Sequence, residues 1–545
     1  MSKDNKVVRF KHGLTIGYSA AEDDEAFLKD CFVDTEHYQM MIGEDSPKCI
    51  ILGRTGAGKS ALIYHIKDQC SNVVEIEPEA LALNYISNSD IITFYSSIGV
   101  NLDIFYQLLW RHVFCVQIIK QHFKLESPSD MQRFKNWLTE SFGNNLARKA
   151  AVEYLEKWNS KFWEETEERI KEITSSLEDQ LSAGIDLASL GIPIGANHKV
   201  LAKEKVTKDI VVKAQKIVNN IQIRQLGEVV QLLADELYNS TKIKYYIVID
   251  RLDDRWVDDE IRYNLIRGLI EAVKTLKKIR NVKIIISMRD DLLQGVYRRT
   301  HNTGFQPEKY EDLNLRIKWN AETLSSVVEK RLNVTLKHMY TNKEIKIHDV
   351  FPEEISNKKF LDYILQRTLF RPRDVIAFIN DILDAAGGNP VITQKIVLDA
   401  EAKYSEGRLE AILYEWHGEY PNLESVVQLL ANTPSRFALD YVSKEDIDNF
   451  SLDFFDNDDR HSDALKNNVN KYYNGKIQFE VLRQEVFRIL YNVGMIGVKP
   501  SAYNKTMYCY NDAPVISKTL LDENSSITVH PMLWRALGIH KKRTR

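Results

Sequence analysis

The chain has 545 residues, with 73 Lys and Arg against 77 Asp and Glu, for a formal net charge of −4. That balance excludes a protein drawn to nucleic acid or anionic lipid by its overall charge and leaves only local patches for such partners. Charged residues at 28% beside 44% hydrophobic ones exclude a disordered or fibrous chain, and the length exceeds what a single core supports.

The opening MSKDNKVVRFKHG is charged and lacks the apolar stretch of a secretory signal. No apolar run reaches the roughly 18 residues of a bilayer span; the nearest, AGIDLASLGIPIGA at 183–196, is short and contains Asp186. Five scattered cysteines (Cys31, Cys49, Cys70, Cys115, Cys509), odd in number and without a C-x-x-C pair, fit reduced thiols and a cytoplasmic location without membrane contact. Residues 17–35 carry apolar positions at helical spacing and predict a helix beside the motif that follows.

That motif is CIILGRTGAGKSALIYHI, residues 49–66, an apolar run, a glycine-rich turn and a second apolar run at helical spacing. Gly53 and Gly58-Lys59-Ser60 complete G-x-x-x-x-G-K-[ST] in a strand–loop–helix context. The glycines let backbone N–H groups turn toward phosphate oxygens, and the helix N-terminus adds positive potential. Gly53, Arg54, Thr55, Gly56, Ala57, Gly58, Lys59, Ser60 and Ala61 are therefore expected to wrap the phosphates of a nucleotide. Lys59 is expected to reach the β- and γ-phosphates, and Ser60 to bind Mg²⁺.

NVVEIE, residues 72–77, predicts a second strand. A long helical insertion follows: residues 101–123 are apolar nearly all round, as in a helix buried on several sides. Two later stripes, Ile170–Ile173–Leu177–Leu181 and Ile210–Ala214–Ile217–Ile221, predict an antiparallel helical hairpin, either a projecting coiled coil or ordinary core.

KYYIVID, residues 244–250, predicts a core strand ending in Asp250, the acidic group that a Mg-nucleotide site requires beside Ser60. Asp253 and Asp254 lie just beyond. Either can orient an attacking water, or both can serve the loop, and the sequence does not rank them. A helix over 259–278 leads to a further strand, NVKIIISM, so that β-branched runs alternate with helices as in a parallel sheet covered on both faces. Ser287 and Arg289 stand at its carboxyl end, where ligands of such sheets bind. The competing reading is a helix start capped by Asp290 or Asp291.

From Trp319 the pattern turns helical. Arg371 and Arg373 begin a helix, a position where the helix dipole disfavours cations and a phosphate would relieve the cost. A surface salt bridge of Arg373 to Asp374 or another carboxylate is the alternative. Near the C-terminus an amphipathic helix ending at a glycine (479–498), a short strand TMYCY and a second strand SSITVHPML compose a winged-helix-like order. The expected organisation is 1–85, the start of the core with its phosphate loop; 86–240, the insertion; 241–318, the remaining core; 319–420, a helical lid; and 421–545, the winged-helix-like domain.

The loop, VIDRLDD, SMRDD and RPRD resemble the STAND, KAP and AAA+ side of the P-loop NTPases. With AAEDDEAFLKDCFVDT, FYQLLWRHVF, LDDRWVDDEIRYNLI, GFQPEKYEDLNLRIKW and YSEGRLEAILYEW, the chain resembles the bacterial FunZ-like P-loop ATPases, many of which occur in mobile-element and anti-phage loci. The resemblance implies ATP and Mg²⁺, Walker B at Asp250, a sensor-1-like Arg289 and a sensor-2-like Arg373. Arg251 stands where AAA+ proteins place a catalytic glutamate, and Asp253 matches a later acidic position of KAP-type proteins.

The expected function is an ATPase switch in an oligomer, with Arg298, Arg299 or Arg316 available in trans and effector chemistry, a nuclease or toxin, in a partner. The alternative is a DNA-binding initiator or remodeller using the C-terminal domain and the HKKRTR tail. A membrane-associated KAP-like scaffold is a third class, but the chain lacks its transmembrane insertion.

Overall fold

The computed structural model describes residues 9–43, 45–78, 102–122, 230, 244–254, 259–277, 279, 281–300, 306–340, 343–452, 454 and 464–540. The predicted hairpin over 170–221, the apolar segment 183–196, the acidic stretch 455–463 and the last five residues lie outside them. The chain forms two compact units, one comprising Met1–Glu36, Gly53–His65 and Ile317–Arg545, the other His37–Leu52 and Ile66–Arg316. Each has its own apolar core.

In the second unit, β-branched runs build a five-stranded sheet of order β2-β3-β4-β1-β5. Its strands are β1 (Ile50–Leu52), β2 (Val73–Ile76), β3 (Tyr245–Ile249), β4 (Val282–Met288) and β5 (Asn314–Arg316). All pairings are parallel. Every residue of β1 and β3 is buried, as expected when both faces of a parallel sheet are covered. β5 is short, and its sequence, NLR, has no β-branched residue to announce it.

Helix α1 (Lys59–Gln69) follows the glycine loop. Helix α2 (Asp103–His122) buries residues around much of its circumference, from Tyr106 and Trp110 to Cys115 and Ile119, in accord with its apolar sequence. It packs on α3 (Asp259–Leu276): Trp110 Nε1 donates to the Leu265 carbonyl at 2.9 Å, and a Cβ on Gly268 would lie 2.8 Å from that of Tyr106. Only a glycine lets the two helices approach so closely there. Helix α4 (Asp290–Arg299) follows β4 directly.

The first unit contains α5 (Ala321–Tyr340), α6 (Pro372–Ala385), α7 (Gln394–Trp416) and α8 (Phe479–Asn492). Beyond α8, Gly494 takes φ +89° and the chain enters an antiparallel sheet of order β6-β8-β7, with β6 at Arg436–Ala438, β7 at Ile496–Lys499 and β8 at Ser526–Val529. TMYCY is not a strand. It contributes one bridge, Met507 to Val498, because the chain turns immediately afterwards, with the Asp512 carboxylate accepting from Tyr508 N and Tyr508 O accepting from Asn511 N. None of the five cysteines forms a disulfide. Among the described residues, no helix is long and apolar enough to cross a membrane.

Candidate functional site

The glycine loop leaves β1 at Gly53 and closes on a turn in which Ala57 N donates to Arg54 O at 3.1 Å. Gly56 and Gly58 take φ +75° and +93°, which L side chains rarely adopt, so the loop's course depends on them. A Cβ on Gly56 would also lie 2.6 Å from the Cβ of Arg373. Lys59 folds its ammonium back over the loop, donating to Gly53 O at 3.2 Å and Arg54 O at 3.3 Å. Ser60 and Ala61 form the first turn of α1 with Lys59. The Ser60 hydroxyl has no hydrogen-bond partner among the described residues, and neither does the buried Thr55 Oγ1.

Four successive loop residues are held by side chains or backbone from later in the same unit. Arg54 turns its guanidinium away from the loop, donating to the Val493 carbonyl at 2.7 Å and to Cys509 Sγ, with the Trp416 ring centroid 5.6 Å away. Thr55 O accepts from Arg371 Nη1 at 2.6 Å, Gly56 O from Arg373 N at 3.4 Å, and Ala57 O from Trp319 Nε1 at 2.8 Å. Arg54 was expected to wrap the phosphates with the rest of the loop; its guanidinium is engaged by Val493 and Cys509, while its carbonyl stays in the loop turn.

The two arginines at the start of α6 have different environments. Arg371 is buried with Asp374 at 2.9 Å and Glu415 at 3.2 Å, and Asp374 also binds Arg408 at 3.0 Å. Burial alone would raise the Asp374 carboxyl, but Arg371 and Arg408 hold it below the ordinary carboxylate value. The salt bridge to Asp374 therefore belongs to Arg371. Arg373 makes no carboxylate pair among the described residues; its Nε donates to Ser19 O at 3.3 Å. Burial, followed by the neighbouring Arg371 charge, lowers its pKa. A half-buried guanidinium beside the loop thus has no direct carboxylate pair among the described residues, although Glu415, Glu22 and Asp374 act on it from further away. The N-terminal segment reaches the same region, with Phe32 stacked on His65 of α1 at 3.9 Å.

In the sheet unit, the register Ile249 to Ile286 brings Asp250, one residue on, level with Ser287. Asp250 Oδ1 accepts from Arg251 N at 2.9 Å, and Arg251 holds the left-handed φ of +61°. Arg251 pairs with Asp254 at 3.0 Å, whereas Asp253 makes no ion pair or hydrogen bond among the described residues. Ser287 is fully buried and its hydroxyl has no hydrogen-bond partner among the described residues. Asp290 and Asp291 do not cap α4 by side-chain hydrogen bonds: Arg289 is the N-cap and pairs with Asp291 at 2.8 Å, while Asp290 pairs with Arg316. Arg298 and Arg299 are exposed, Arg299 over the Tyr263 ring.

The chain is 21% identical over 543 residues to the "Putative transposon gamma-delta 80.3 kDa protein" of Escherichia coli (strain K12), covering 96% of this chain and 67% of that protein. The Walker-type ATPase PABY2304 of Pyrococcus abyssi aligns at 12% identity with a TM-score of 0.36, over 93% of this chain and 98% of that one. Residues 322–413, from α5 through most of α7, match the family described as FunZ-associated C-terminal helical domain.

Proposed function

We propose that the chain is a P-loop ATPase that works as a nucleotide-driven switch. The observation that carries this reading is the loop itself: two glycines at positive φ, Lys59 folded over the loop, and Arg373 half-buried beside it without a carboxylate partner. A polyphosphate supplies the negative charge such a cradle lacks. Backbone N–H groups of residues 53–61 bind the phosphates, Lys59 bridges β and γ, and Arg373 reads the γ-phosphate from the lid.

Ser60 and Asp250 are the groups that hold Mg²⁺, which supplies neutralisation of phosphate charge. Asp253 rather than Asp254 orients the attacking water, since Arg251 already neutralises Asp254. Ser287 and Arg289 complete the strand-end set, with the buried, unpartnered hydroxyl of Ser287 available to a ligand. The helical stretch 319–420 acts as lid and 421–545 as a winged-helix-like output domain. The switch works in an oligomer, with effector chemistry in a partner protein. The anti-phage setting rests on the family resemblance.

The decisive experiment is Lys59→Ala. ATP turnover is expected to fall by about a hundredfold or more, with an unchanged circular dichroism spectrum; undiminished turnover removes the site assignment. A second reading, an ATPase that handles DNA, draws on the likeness over 96% of the chain to a protein named for a transposon. Its test is DNA binding whose affinity falls steeply with salt.

A further inference from the structure

We infer that Arg54 is a positioning residue through which the C-terminal module sets the shape of the phosphate loop, and through which loop occupancy is transmitted to that module. This rests on the nucleotide-site reading above. Arg54 lies within the loop sequence, yet its guanidinium is committed to three elements from the last quarter of the chain: the carbonyl of Val493 after α8, the Cys509 thiol, and the Trp416 ring that ends α7.

The receiving site is shaped for this side chain. Gly494 takes φ +89°, and a Cβ there would lie 3.0 Å from Arg54 Nη1, so the turn after α8 is open where the guanidinium enters. The acceptors are a carbonyl and a thiol, and no carboxylate pairs with Arg54 among the described residues. Recognition is therefore by the planar fork, which presents two donors at fixed spacing, a geometry that a lysine ammonium cannot reproduce. Arg54 also has its carbonyl in the loop turn, accepting from Ala57 N and from Lys59 Nζ. A displacement of the Arg54 backbone when phosphates fill the loop moves the guanidinium against Val493 and Cys509, and coupling between two sites is reciprocal in free energy.

Hydrogen exchange of the segment 493–512, measured on the full chain with and without ATP and Mg²⁺, tests this. In the wild type, nucleotide is expected to change exchange there several-fold. Arg54→Ala is expected to abolish that response and to weaken ATP binding by about tenfold. Arg54→Lys, which keeps the charge, is expected to behave like Arg54→Ala. Cys509→Val, altered on the module's side alone, is expected to reduce the response in the same direction and keeps the test available if loop variants fold poorly. A response that persists in Arg54→Ala, or is restored by Arg54→Lys, overturns the inference. A wild type that binds ATP with no response in 493–512 does the same, whereas a wild type that binds no ATP removes the nucleotide-site reading on which the inference depends.

Discussion

The glycine loop and the strand ends of the sheet carry residues expected to serve one nucleotide, yet they are held in contrasting ways. Residues 54–57 are gripped from a distance in sequence, by Trp319, Arg371, Arg373, Val493 and Cys509 of the same unit. Asp250, Arg251 and Asp254, and Arg289 with Asp291, are organised by neighbours within a few residues. Conserving a loop motif thus does not fix its shape unless the distant partners are present, whereas the strand ends carry much of their order locally.

The largest expected effect breaks the distant support. Arg371→Ala leaves Asp374 and Glu415 buried beside a lost cation and should cost about 3–5 kcal/mol in urea unfolding, with loss of ATP affinity because Thr55 loses its donor. Arg289→Ala removes a short-range, partly buried pair with Asp291 and should cost less, about 1–2 kcal/mol. Equal costs would erase the distinction drawn between the two regions.

A second pair sharpens the strand end. Asp253→Asn should lower ATP turnover by about a hundredfold, while Asp254→Asn, which loses an exposed pair with Arg251, should stay within about threefold of the wild type. The reverse order in steady-state assays would assign the water-orienting role to Asp254.

The smallest effect compares acid sensitivity. Each unit contains a buried histidine kept neutral by desolvation, His530 and His112, both with pKa values pulled down to about 3. In His530, Nδ1 accepts from Met532 N, so a proton there would face another donor. An unfolded histidine titrates near 6.5, so the unfolded state binds the proton first. Stability is then fully present above pH 6.5 and is lost as pH falls toward 3, by roughly 2 kcal/mol per histidine at pH 5. Thermal unfolding of His530→Gln and His112→Gln at pH 7 and 5 should show flatter pH dependence than the wild type; parallel curves would place the acid sensitivity elsewhere.

Most of the sheet was legible because β1, β3 and β4 are rich in Ile, Val and other apolar residues that suit burial on two faces, and the glycine loop because its backbone chemistry demands particular residues. β5 and β6 were not, since NLR and RFA are too short and mixed to show a period. TMYCY has the composition of a strand, but the Asp512 carboxylate turns the chain back. The roles of Arg371 and Arg373 were left open by sequence because both occupy the same helix start, and only packing separates the one buried among carboxylates from the one beside Gly56. Arg54 was legible as a loop residue but not in its side-chain role: its partners lie hundreds of residues away.

That separation bears on the order in which the protein is made. Arg54 is 439 residues from Val493 and 455 from Cys509. At roughly 5–20 residues per second, a ribosome completes the loop about 20–90 s before its last anchors exist. Through that interval the nascent chain has the whole glycine motif, and gains Trp319, Arg371 and Arg373 on the way, but lacks the last anchors of Arg54, and nucleotide affinity should mature only after synthesis passes Cys509.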